Sequence, residues 1–149
     1  MEKIMTRDFG EIEISKDDII HFPKGLPGFR DKKDFTLLPL EEETPFIIMQ
    51  SLSEQNLAFI TIDPAEIVTN YEFDINENVE KLLKIKKKED IGVLNITTIK
   101  DSMKDMTVNL AAPLVINFES NLGKQVILDD DTYPVKYKVF SETREKVAE

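Results

Sequence analysis

The chain has 149 residues, 41 % of them hydrophobic, with a formal net charge of −10 and no cysteine. That length fits one domain burying about 70 % of the surface its unfolded chain would expose. Without cysteine there is neither a disulfide framework nor thiolate chemistry, and the negative charge argues against direct binding to nucleic acid or anionic lipid and favours a basic protein partner, or simply solubility. Residues Met1 to Asp8 contain no apolar run of signal-peptide type, and no stretch approaches membrane-spanning length. A reducing, cytoplasmic setting is the expectation.

From Phe9 to Ile14 apolar and acidic residues alternate, which predicts a strand with Ile12 and Ile14 inward and Glu11 and Glu13 outward. Asp17 to Phe22 reads as a second short strand. Phe22-Pro-Lys-Gly-Leu-Pro-Gly-Phe29 cannot be helix or central strand, and Pro27-Gly28 suits a type II turn. Phe35 to Leu40, Phe46 to Leu52 and Leu57 to Ile62 are three further strands, the last ended by Asp63-Pro64.

The one convincing helix runs from Asn76 to about Ile85, with Asp74 or Asn76 as its cap. Ile75, Val79, Leu82 and Leu83 form its apolar stripe, so Leu82 and Leu83 are both expected in the core. Acids lead and Lys81, Lys84 and Lys86 follow, in keeping with the helix dipole. Ile91 to Ile99 is rich in β-branched residues and predicts a strand, joined through Lys100 to Asp105 to the next as a hairpin.

That next stretch, Met106 to Asn117 continued by Gly123 to Leu128, reads as the strand pair on which the rest is assembled. Met106, Val108 and Leu110 alternate with Thr107 and Asn109; Pro113 interrupts the ladder or marks a bulge; Leu114 and Ile116 resume the alternation. Asn121-Leu-Gly123 supplies a turn before an apolar run from Gln125 to Leu128. Asp129 to Pro134 is a loop, Val135 to Phe140 a last extended piece, and residues 141–149 a polar C-terminal tail outside a single domain of residues 1–140. Many short, largely antiparallel strands with one short helix near residues 76–85 give a mainly β chain, a small barrel or sandwich.

Catalytic patterns are missing. His21 is the only histidine, and its place on a strand beside Phe22 favours a structural role. Lacking cysteine and further histidine, the chain has no plausible zinc site, and phosphate-loop, dinucleotide and nucleophile-elbow motifs do not occur. Asp129, Asp130 and Asp131 lack the spacing of a calcium loop. Asn95-Ile-Thr97 matches a glycosylation sequon that has no meaning in a cytoplasmic strand. Charge says more. From Asp34 to Glu80 there are eleven acids (residues 34, 41, 42, 43, 54, 63, 66, 72, 74, 77 and 80) and no lysine or arginine. Such a run is either a solvated face or a surface that steers a basic partner and repels RNA.

The motif Phe22-Pro-Lys-Gly-Leu-Pro-Gly-Phe29, taken with Asn109-Leu-Ala-Ala-Pro-Leu-Val-Ile-Asn117 and Gly123-Lys-Gln-Val-Ile-Leu128, resembles the flagellar assembly factor family FliW. Pro45-Phe46, Gln50-Ser51 and Asp63-Pro64 fall where that family has similar residues, so the resemblance runs from about Phe9 to Phe140. It implies a small β-barrel-like protein of the bacterial cytoplasm, without catalytic activity or cofactor. Its relatives bind flagellin and also the RNA-binding translational regulator CsrA, relieving repression of flagellin synthesis. While unexported flagellin accumulates it occupies the factor, and the regulator is left free to repress. Binding flagellin alone, as an acidic chaperone, is the alternative; a small-barrel enzyme is a more distant one. The chain is expected to be monomeric on its own, with neither nucleic acid nor membrane as a direct partner.

Pro23, Gly25, Pro27, Gly28, Pro113 and Gly123 are expected to serve the backbone. Asn109, Asn117, Lys124 and Gln125, which flank the central strand pair, are the candidates for partner binding, together with the acidic Glu41, Glu42 and Glu43.

Overall fold

The computed structural model describes residues 2–140 other than Glu42, Asp130 and Asp131. The expected 141–149 tail therefore lies outside the described residues. The described residues form eleven strands: β1 (Glu2–Met5), β2 (Glu11–Ile14), β3 (Ile19–His21), β4 (Asp34–Pro39), β5 (Phe46–Ser51), β6 (Ala58–Ile62), β7 (Ile91–Thr98), β8 (Thr107–Val108), β9 (Leu114–Asn117), β10 (Leu122–Gln125) and β11 (Tyr137–Lys138). Among the described residues one α-helix, α1, spans Glu77–Leu82. The mainly β expectation holds.

Seven strands close into a barrel in the order β7-β6-β5-β4-β3-β10-β9, with β9 returning to β7. All joins are antiparallel except β3 with β10, which is parallel and rests on the single pair His21 and Leu122. β8 and β11 extend from the far half of β7, while β1 and β2 form a separate hairpin. That hairpin is tied to the barrel by the Arg7 amide and guanidinium, which donate to Gln50 Oε1 and to the Ala58 carbonyl, each at 2.9 Å. β1 has no clear alternation, so periodicity gave no sign of it.

Inside the ring lie Ile20, Phe22, Leu26, Phe35, Met49, Leu94, Leu114 and Ile116. Phe22 meets Phe35 edge-to-face with ring centroids 5.6 Å apart, a geometry that adds about 0.5–1.5 kcal/mol to the burial itself. Gly123 is not part of a turn, as its sequence context suggests. It stands within β10 beneath Phe22, where a Cβ would come within 2.8 Å of the ring. The turn ends two residues earlier, at Asn121, whose φ is 57°. The expected strand at Gln125 to Leu128 accordingly starts three residues sooner. Its C-terminal part, Val126 and Leu128, donates instead to the carbonyls of Pro113 and Ala111, both at 2.8 Å.

The turn at Leu26–Phe29 is as expected: Phe29 N donates to the Leu26 carbonyl at 2.8 Å, and Gly28 has φ +84°. Pro113 does interrupt the ladder, and the interruption is large. Thr97 lies opposite Val108, yet Leu94 lies opposite Leu114. Two residues of β7, Asn95 and Ile96, thus face the five residues 109–113, so three extra residues bulge from this strand. The bulge is packed, with Leu110 and Ala112 buried.

Past the bulge, β9 departs from simple alternation because both its faces are covered. Leu114 and Ile116 enter the barrel, whereas Val115 packs outward against Val79 and Leu83 of the helix. The Asn76 side chain accepts from the Val79 amide at 2.9 Å and caps α1. The helix stops short of Ile85, because Lys84 adopts φ 57°. Leu83 is fully buried, but Leu82 is only partly so, which corrects the expectation that both are core residues.

Candidate functional site

Three of the four polar positions flanking the β9–β10 pair, Asn109, Asn117 and Gln125, are drawn into the fold by their own hydrogen bonds. Asn117 is 1 % exposed. Its Nδ2 donates to the carbonyls of Leu83 at 2.8 Å and Lys84 at 3.1 Å, and its Oδ1 accepts from the Glu119 amide at 3.0 Å. Those carbonyls end α1 and have no intrahelical donor, so Asn117 closes the helix onto the barrel. Asn109 Oδ1 accepts from the Ala111 amide at 3.0 Å, and Gln125 Nε2 donates to the Ala112 carbonyl at 3.1 Å. Both therefore shape the bulge. Lys124 is half-buried on the outer side of β10. The inaccessibility of Asn117 leaves Asn109, Lys124 and Gln125 as the partly exposed members of this group.

The acidic run has the opposite character. Each of its ten described members is exposed; Glu41 and Glu43 stand in the β4–β5 loop, and Glu42 lies outside the described residues. Asp34 Oδ1 lies 2.6 Å from His21 Nδ1, Glu54 lies 3.6 Å from Lys32 Nζ, and Glu77 lies 3.2 Å from Lys81 Nζ. The His21–Asp34 contact is a cross-strand pair at the parallel seam, in agreement with a structural role for the histidine. Among the described residues no three carboxylates or histidines converge as a metal site would require.

The richest local chemistry occurs in a segment to which the sequence assigns no element. Residues 63–73 cross over the outer face of β7 and enclose a groove of about 370 Å³ whose lining includes Asp63, Val68, Tyr71, Glu72, Phe73 and Val93. Asp63 starts the segment by accepting from the Ala65 amide at 2.9 Å. Tyr71 donates its hydroxyl to the Leu110 carbonyl in the bulge and receives Asn95 Nδ2 at 3.2 Å. Desolvation by burial pushes the Tyr71 phenol above its ordinary pKa of 10.0, opposed in part by the hydrogen bond from Asn95. The ring stands edge-to-face with Phe73 at 5.6 Å and with Tyr133 at 4.6 Å.

Asn95 is wholly buried; its Nδ2 also reaches the Asn109 carbonyl at 2.8 Å, while its Oδ1 has no donor among the described residues. A polar residue inside the β-branched run Ile91 to Ile99 is the sign of this network that the sequence carries.

A closed seven-stranded barrel, with an added hairpin and a helix laid against one wall, defines a small all-β scaffold whose distinctive chemistry lies on its outside. Residues 3–139 match the family model described as "FliW protein". The chain is 44 % identical over 140 residues to the flagellar assembly factor FliW of Geobacillus thermodenitrificans, covering 94 % of this chain and 96 % of that one. It is 39 % identical over 140 residues to the Bacillus subtilis flagellar assembly factor FliW, covering 94 % and 98 %. A solved structure, "Crystal structure of the flagellar assembly factor FliW", superposes with a TM-score of 0.88 at 43 % identity, over 95 % of this chain and 99 % of the other. The chain belongs to the FliW family of flagellar assembly factors.

Proposed function

We propose that this chain acts in the bacterial cytoplasm as a non-catalytic binding protein that alternates between flagellin and the translational regulator CsrA. Bound to flagellin it is occupied; once flagellin is exported it captures the regulator and relieves repression of flagellin synthesis. The observation that carries this reading is family membership across residues 3–139. The exposed, base-free acidic run supports it, since an RNA-binding partner presents a basic surface that such a face attracts.

The barrel is small, and two standard interfaces of about 800 Å² per side would cover much of it, which favours coupling between the partners. Linkage requires each partner to weaken the other by the same factor. Titration of flagellin into the preformed complex with the host's own regulator, followed by size-exclusion chromatography, tests the proposal. Release of the regulator is expected. A stable ternary complex with unchanged affinities would leave two independent binding activities, and binding of flagellin alone would reduce the role to that of a chaperone.

A further inference from the structure

We propose that the groove beneath residues 63–73 seats a basic segment of the regulator, an arginine or lysine next to an apolar side chain. The inference rests on the reading that the regulator is a partner. The groove's volume of about 370 Å³ suits a pair of side chains rather than a whole element. Its two kinds of wall suit the two kinds of side chain. Val68, Phe73 and Val93 offer apolar surface, while Asp63 and Glu72 are exposed carboxylates among lining residues that include no base.

Tyr71 lines the same groove. Its ring is fixed by the hydroxyl's hydrogen bonds to Leu110 and Asn95 and by the edge-to-face contacts with Phe73 and Tyr133. An aromatic face so placed attracts a guanidinium or ammonium, and because it is already ordered, little conformational entropy remains to be lost on binding. A phosphate group would meet two carboxylates and no base in this lining, so the same groove disfavours the regulator's RNA ligand. β7 contributes Val93 to the lining, and as a strand of the closed ring it is paired along both edges, so that part of the seat is rigid.

Calorimetric titration of the regulator into the wild-type chain, into Asp63→Asn/Glu72→Gln, into Glu72→Lys and into Ala65→Trp tests the assignment. Asparagine at position 63 keeps an acceptor for the Ala65 amide, and positions 65 and 72 are exposed, so the fold is expected to persist; an unchanged denaturant midpoint checks it. Neutralising both carboxylates is expected to weaken the regulator about tenfold, with charge reversal weakening it further. Tryptophan at position 65 is expected to fill the groove and weaken binding at least as much, without changing the charge. A wild-type complex that all three variants form with unchanged affinity overturns the groove assignment alone. Failure of the wild-type chain to bind the regulator overturns it together with the reading it rests on. Variants that lose flagellin while keeping the regulator overturn the choice of occupant.

Discussion

With a single amide, Asn117 joins two layers of the molecule, the barrel wall and the end of α1. Asn117→Ala would remove two donors from the carbonyls of Leu83 and Lys84 and one acceptor from the Glu119 amide. Ser120 Oγ still reaches the Leu83 carbonyl at 2.9 Å, so the loss is expected to be about 1–3 kcal/mol rather than more. Equilibrium denaturation reads it as a lower midpoint at unchanged slope; an unaltered midpoint would mean that water replaces the amide freely. Tyr71 carries a different signature. Its phenol is held above the ordinary value by burial, so its contribution to stability is whole below about pH 10 and is lost as pH rises through the folded-state value. Tyr71→Phe is expected to lower stability by about 1 kcal/mol at neutral pH, through the lost hydrogen bond to Leu110, and to flatten the alkaline limb of the stability curve. Parallel alkaline limbs for the two proteins would remove Tyr71 as the titrating group.

Among the elements, the helix separates two leucines that are neighbours in sequence. Leu83 is fully buried against Val115 and Val126, so Leu83→Ala should destabilise by about 2–5 kcal/mol through lost burial and a cavity. Leu82→Ala, at a half-buried position, should cost clearly less. Equal midpoint shifts in urea would show that the helix settles differently on the barrel. The helix, the strands β2 to β7 and the Pro27-Gly28 turn were legible because each rests on local chemistry: period, caps or a residue with φ above zero. The bulge was legible only as a break at Pro113, since its size depends on which residues of β7 face it. The burial of Asn117 has no sequence signal, because its acceptors, two main-chain carbonyls, carry no mark in a sequence. The groove was invisible for the same reason: it forms when residues 63–73 are laid over β7.

For the whole molecule, the exposed acidic run is a long-range feature, and long-range charge acts mainly on the rate of encounter. Association with the regulator is expected to slow as salt rises, because screening shortens steering to about 8 Å at physiological ionic strength. Stopped-flow rates that stay level from low to high salt would leave the run as a solvated face. The seven strand pairings of the ring are backbone ladders that do not rest on this charge, so salt should change the encounter without changing the barrel.

The ring is not uniform around its circumference. Every join but one is an antiparallel ladder of at least two residue pairs, whereas β3 meets β10 through His21 and Leu122 alone, with His21 N donating to the Asn121 carbonyl at 2.9 Å. The partners lie about a hundred residues apart along the chain, so this clasp has the largest loop to close and the fewest bonds to hold it. The barrel is then a curled sheet with one catch, and its breathing has a preferred place. The His21 amide is expected to exchange with deuterium by local opening, well before Ile48 in the middle of β5, whose exchange awaits global unfolding. Equal protection at the two sites would mean that the seam opens only when everything does.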